Sequence, residues 1–324
     1  MTNSPVILIC SILEGINVNP ESGSKKKRKT RYIPHRAAAE FEPTEDWTKE
    51  EARQIYRSRE FSFPVDRIHY QDCIKGMKQL PTESVDVIIA DPPFGISFTG
   101  KEAIYNRDDS LVAEGYHEIE EDYDTFTIRW MKELPRILKR TGTAWIFSGW
   151  TNLRQVLDAI DKVNLSLINH IIWKYQFGVF TKRKFVTSHY HLLFLAKHPK
   201  DYYFNKIEHY PLDVWDINRT YKKGEKKNGT KLPTELVMRC VDFSTRPGDL
   251  VLDPFMGNAT TAVACKGAFR HYIGFEINTT MKDIIDYNVG LLEIGELFIP
   301  YVDRKDDLVE KARAKFKKTA KRSA

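Results

Sequence analysis

Ser84-Val85-Asp86-Val87-Ile88-Ile89-Ala90 runs straight into Asp91-Pro92-Pro93-Phe94-Gly95, and Asp249-Leu250-Val251-Leu252 runs straight into Asp253-Pro254-Phe255-Met256-Gly257-Asn258-Ala259-Thr260-Thr261. Short apolar runs of this kind are typical of strands buried in a parallel sheet. Each is followed at once by an acidic residue and a turn rich in proline or glycine. The segments around them alternate in period. Phe126, Trp130, Leu134 and Leu138 fall on one helical stripe that Gly142 should end, with Thr143 to Phe147 as the next strand. Leu153 to Val163 reads as helix, Leu167 to Trp173 as strand, and Phe185 to Ala196 contains a further strand, as does His271 to Phe275. This alternation predicts an α/β fold, a mostly parallel sheet with helices on both faces. In such sheets ligands bind at the carboxyl ends of the strands, where both acidic turns stand.

The two turns suit different ligands. Pro92 and Pro93 fix their own φ and remove two backbone donors, while their carbonyls remain as acceptors. Asp91 adds a carboxylate that only accepts, and Phe94 supplies a flat face. Such a turn can hold a planar group that carries an amine; an ordinary proline turn with a capping aspartate is the structural alternative. In the second turn Gly257 permits a close backbone approach, and Thr260 and Thr261 begin a helix whose N–H groups favour a carboxylate. Glu276 follows about 20 residues later, at the end of the next strand, a position suited to accepting from ribose hydroxyls. The second and third glycines of a dinucleotide turn are absent, as is the Gly-Lys-Ser/Thr of a P-loop. The spacing therefore suits a nucleoside with a carboxylate tail.

Taken together, the motifs resemble those of the amino-methylating DNA methyltransferases, specifically the circularly permuted beta class. There the Asp-Pro-Pro-Tyr/Phe motif precedes the cofactor motif, as it does here, whereas related RNA methylases usually reverse that order. The resemblance covers most of residues 65 to 282. It includes His69-Tyr70-Gln71-Asp72-Cys73, Trp130 to Lys139, Ile172-Trp173-Lys174, Ser188 to Lys197, and Thr230-Lys231-Leu232-Pro233-Thr234-Glu235-Leu236. Gln71 stands in place of a usual Gly, Asn228-Gly229 in place of His-Pro, Leu232 in place of Lys, and Ala259 in place of a second loop glycine.

The resemblance implies a Rossmann-like methyltransferase fold and transfer of a methyl group from S-adenosylmethionine to an exocyclic base amine, without metal. The base would be flipped out of double-stranded DNA. Asp91, Pro92, Pro93 and Phe94 would form the catalytic site. Asp253, Phe255 and Gly257 would hold the methionine end of the cofactor, Glu276 the ribose, Asp72 the adenine, and Thr230 the methionyl carboxylate. Asp at the head of the catalytic motif favours adenine N6 over cytosine N4. An RNA or protein-amide methyltransferase and a non-catalytic nucleic-acid-binding module are the remaining alternatives. A cognate restriction endonuclease and a homodimer are compatible with the resemblance, and membrane association is not expected.

The outer segments are less informative. The chain has 324 residues, with 50 Lys+Arg against 44 Asp+Glu. That small excess favours a polyanionic partner only weakly. Residues 1–60 read as a basic N-terminal extension with a dense block at Ser24 to Arg31, either a solvated arm or one that binds phosphates. Within it, Thr48-Lys49-Glu50-Glu51 has capping-box spacing and predicts a helix through Arg57. Residues 61–303 form the expected catalytic domain. Residues 198–229, mixing aromatic and basic side chains, are the candidate target-recognition region inside it, and a packed hairpin would explain the aromatics equally well. An acidic insert, Lys101 to Asp122, follows the catalytic motif, and 304–324 reads as a basic helical tail. Cys10, Cys73, Cys240 and Cys265 have no metal or scaffold spacing and read as reduced thiols. The apolar run Val6 to Leu13 is too short to span a membrane, so a cytoplasmic protein is expected.

Overall fold

The computed structural model describes residues 39–93, 122–176, 178, 182–219 and 231–322, all of which lie in one compact unit, 34–324. The Ser24 to Arg31 block, Phe94, residues 101–121 of the acidic insert, and Thr230 lie outside the described residues.

The first element with a described range is α1 (Lys49–Ser58), whose capping box forms as its spacing predicts: the Thr48 side chain accepts from the Glu51 N–H, and Glu51 reaches back to Thr48. There follow β1 (Arg67–His69), α2 (Cys73–Gln79), β2 (Val85–Ala90), α3 (Tyr123–Met131), α4 (Leu134–Ile137), β3 (Leu138–Ser148), α5 (Leu153–Lys162), β4 (Ser166–Lys174), β5 (His189–Ala196) and β6 (Val214–Asp216). The second half contributes α6 (Thr234–Ser244), β7 (Leu250–Asp253), α7 (Thr260–Gly267), β8 (His271–Phe275), α8 (Lys282–Gly290) and α9 (Tyr301–Arg322).

Among the described residues, eight strands form one sheet in the order β1-β8-β7-β2-β3-β5-β4-β6. β5 runs against its neighbours, β3 and β4, and the other pairings among the described residues are parallel. The sheet is buried on both faces, which is why its central strands are apolar throughout. Along β2, Val87 and Ile89 join one core layer with Val237 and Val241 of α6, while Ile88 and Ala90 join the other with Trp130 of α3 and Val156 of α5.

Two expectations need correction. The helix expected from Phe126 to Leu138 is interrupted: α3 ends at Met131, Pro135 occupies the first turn of the separate α4, and Leu138 already pairs with Val85 of β2. Gly142 therefore lies inside β3, where a Cβ would come within 2.9 Å of the Lys139 carbonyl oxygen and 3.1 Å of that of Asp86. It allows close strand approach beside a pairing irregularity.

The boundary drawn at residue 60 also moves. Ala52 is fully buried, Tyr56 stacks on His271 at 4.1 Å, and the Arg246 guanidinium donates to both carboxylate oxygens of Glu45 at 2.8 Å. Residues 41–58 thus belong to the body, because their apolar face has a partner there. The start of α9 is likewise anchored: the Tyr301 hydroxyl donates to the Phe41 carbonyl at 3.0 Å, and Arg304 pairs with Asp242 at 2.8 Å.

Candidate active site

Strand order brings the two acidic turns together. β2 and β7 are parallel neighbours, with Val87 opposite Val251 and Ile88 opposite Leu252. Asp91 and Asp253 therefore emerge side by side at the same edge of the sheet, although they are far apart in the chain. The next strands continue the row. β8 pairs with β7 and ends at Phe275, so Glu276 leaves the sheet beside the Asp253 turn. β1 pairs with β8, the Glu276 N–H donates to the His69 carbonyl at 3.0 Å, and Tyr70 to Asp72 follow immediately.

The Asp253 turn is held from inside. One Asp253 oxygen accepts from the Phe255 N–H at 2.9 Å, and the other from the Thr261 hydroxyl at 2.6 Å. The carboxyl is buried, which pushes it up to about 7; the two hydrogen bonds work against that rise and the Glu276 charge adds to it. Phe255 turns toward α3, edge-on to Trp130 at 5.2 Å. Both residues thus shape the loop. Gly257 sits at φ 52°, the left-handed region open to glycine, and its N–H donates to Glu276 Oε2 at 2.8 Å. Glu276 Oε1 accepts from the Asn278 N–H at 2.8 Å. The loop and the acid at the end of β8 are therefore one hydrogen-bonded unit. Ala259 caps α7 at φ 61°, a left-handed conformation in which its methyl group is strained.

Three further features lie beside this unit. Ile277, next after Glu276, is 62% exposed, an apolar face at the edge of an otherwise polar row. The Tyr70 hydroxyl is buried with no hydrogen-bond partner among the described residues. Burial pushes it up to about 12, assisted by the charges of Asp286, Glu276 and Asp283. Asp72 caps α2, accepting from the Lys75 N–H at 2.9 Å, so its carboxylate is oriented by the helix it starts.

At the other acidic turn, Pro92 is buried and Asp91 and Pro93 are partly exposed. Burial pushes the Asp91 carboxyl up to about 7; the Asp253 charge adds to this and Arg219 opposes it. In the sequence, Arg219 is one of several basic residues of the 198–229 stretch. It lies among Trp173, Tyr175 and Tyr190, with its guanidinium carbon 4.8, 4.7 and 5.2 Å from the three ring centres. No sequence signal pointed to this, since the four residues come from β4, β5 and the segment after β6. Other aromatics of the 198–219 stretch are packed: Tyr202 and Phe204 lie against Phe194, and Trp215 against Trp145.

Among the described residues, no group of three or more His, Cys, Asp or Glu side chains is arranged to hold a metal ion. No helix among them is long and apolar enough to cross a membrane. Cys73, Cys240 and Cys265 are free and buried, and burial pushes each thiol upward, away from reactivity.

The chain is 30% identical over 235 residues to the type II methyltransferase M.HinfI of Haemophilus influenzae, covering 66% of each chain. It is 30% identical over 231 residues to the type II methyltransferase M.HpaI of Haemophilus parainfluenzae, covering 65% of this chain and 70% of that one. The fold is shared with M1.HpyAVI, solved as a complex with SAM, at a TM-score of 0.54 and 21% identity over 69% of this chain and 98% of that one. It is also shared with the cytosine-N4-specific PvuII DNA methyltransferase, at a TM-score of 0.56 and 16% identity over 78% and 96% of the two chains. Residues 85–286, which carry both acidic turns and the strands that bring them side by side, match the N6/N4 DNA methylase family, and the chain belongs to it.

Proposed function

We propose that the protein transfers a methyl group from S-adenosylmethionine to an exocyclic base amine in double-stranded DNA, adenine N6 in preference to cytosine N4. The observation that carries this reading is the adjacency of Asp91 and the Asp253–Gly257 turn on neighbouring parallel strands.

The residues present fit the cofactor. Glu276 offers a carboxylate already fixed by two backbone N–H groups, Ile277 an exposed apolar face for a flat ring, and Tyr70 a buried hydroxyl without a partner among the described residues. Asp72 and Thr230 are the proposed contacts to the adenine and the methionyl carboxylate. When bound, the cofactor supplies an electrophilic methyl group on a sulfonium.

On the protein side, Asp91 and the Pro92 carbonyl accept hydrogen bonds from the target amine and orient its lone pair. The same acceptors stabilise the positive charge that develops on nitrogen, so they act more strongly in the transition state than in the ground state. Phe94 stacks on the flipped base. The amine of a paired base is inaccessible, which makes flipping a requirement of this chemistry. A restriction endonuclease of the same site specificity is the partner that the type II relatives suggest.

The test is nucleoside analysis of duplex DNA after incubation with the protein and labelled S-adenosylmethionine. N6-methyladenine is expected. N4-methylcytosine would overturn the choice of base, and unmodified DNA would overturn the function.

A further inference from the structure

We propose that Arg219 is a positioning residue for Asp91: seated in an aromatic box at the carboxyl edge of the sheet, it supplies the fixed positive charge against which Asp91 works as an amine acceptor. The inference rests on the function proposed above and assigns a role inside that site.

The seat is built from three separate segments. Trp173 and Tyr175 come from the end of β4 and just beyond it, Tyr190 from the start of β5, and Arg219 from the segment after β6. β5 is antiparallel to β3 and β4, so its beginning meets their ends at the edge where Asp91 emerges. The backbone of Arg219 is clamped on both sides: its N–H donates to Gln176 Oε1, and Gln176 Nε2 donates to its carbonyl, both at 2.8 Å. The Trp173 indole N–H donates to the Ile217 carbonyl at 2.8 Å, tying the same segment to the box. The guanidinium is thus held over electron-rich ring faces, an arrangement suited to a planar cation that stays charged at any working pH.

The charge has a use there. Among the described residues, the charged and titratable groups acting on Asp91 from the elements around it are Asp253 at the end of β7, Arg219 after β6 and Tyr190 at the start of β5. Asp253 works against ionisation of Asp91, and Arg219 works for it. A protonated Asp91 would carry a donor where the chemistry needs an acceptor. The Arg219 side chain also hydrogen-bonds the Tyr190 hydroxyl, which keeps the box and the charge in one unit.

The test uses the full chain with Arg219→Met, which fills the box without charge, and Arg219→Lys, which restores charge without the planar stack. Aspartate carboxyl carbons are labelled with 13C, and the Asp91 signal is identified by its loss in Asp91→Asn. In Arg219→Met the Asp91 titration midpoint should rise by about one pH unit, and Arg219→Lys should return most of that change. The acidic limb of kcat/KM for DNA should move upward in step, with roughly tenfold lower activity near neutral pH recovered at alkaline pH. Cofactor affinity should stay within about twofold. An unchanged midpoint in Arg219→Met overturns the proposal. Because the titration is read without turnover, a wild-type protein that methylates no DNA would overturn the proposed function separately.

Discussion

Replacing Asp91 with Asn should stabilise the protein above neutral pH while abolishing methyl transfer. Burial moves the Asp91 carboxyl from 3.8 to about 7, so the folded state binds its proton more tightly than the unfolded chain does. Stability from this group is therefore fully present below about pH 4 and is lost as pH rises through 7. At about 1.4 kcal/mol for each tenfold difference in proton affinity, the ceiling on the loss at pH 8 is about 4 kcal/mol. Partial exposure and the amide's own desolvation reduce the expected gain from Asp91→Asn to about 2 kcal/mol, or roughly 4 °C in Tm for a domain of this size. Asp249 and Asp253 are also raised, to about 6 and about 7; Asp249 contributes the same slope to both proteins, whereas Asp91→Asn also removes the repulsion between Asp91 and Asp253, which acts in the same direction as the loss of the Asp91 charge. The difference between wild type and variant should accordingly narrow from pH 8 to pH 5 and close near pH 4. Urea and thermal unfolding across that range, with DNA methylation measured alongside, provide the check. A variant less stable than wild type at pH 8, or a difference that does not shrink toward pH 5, would refute the reading of Asp91 as a carboxyl whose proton the fold holds more tightly than the unfolded chain does.

Thr261→Val removes the hydroxyl that donates to buried Asp253, and should cost about 1.5–3 kcal/mol in urea unfolding; Thr261→Ser should restore most of it. Glu276→Gln leaves one acceptor oxygen for the two N–H donors of Gly257 and Asn278, so the amide nitrogen must face one of them. Calorimetry should show cofactor binding weakened by roughly tenfold or more, with duplex DNA affinity unchanged. Ala259→Gly relieves the left-handed strain at the start of α7 and should raise stability by about 0.5–1 kcal/mol; a lower Tm would contradict it.

The type and approximate extent of most elements were legible in local pattern. The β7 and β8 runs, the Thr48 capping box and the acid at each strand end depend on residues within a few positions of one another, and such signals survive without tertiary context. The apolar stripe from Phe126 to Leu138 continues through Pro135 and so looks like one helix, and only pairing with Val85 commits Leu138 to a strand. The same limit applied to residues 41–58, whose charged composition looks like a solvated arm until Phe269, His271 and Arg246 are placed beneath them. At the site, Asp91, Asp253, Gly257 and Glu276 could be named from their positions after strands. Their chemistry could not be assembled that way, because adjacency is set by strand order: β7 and β8 insert between β1 and β2, which puts Asp253 beside Asp91 and Glu276 beside Asp72. Arg219 shows the division most clearly. Its sequence neighbours describe a basic, aromatic stretch, whereas its box is made of Trp173, Tyr175 and Tyr190, which come together only when β5 folds back antiparallel between β3 and β4. Backbone periodicity is a local property of a chain, while the electrostatic field at a buried carboxyl is a sum over charges brought near it by packing.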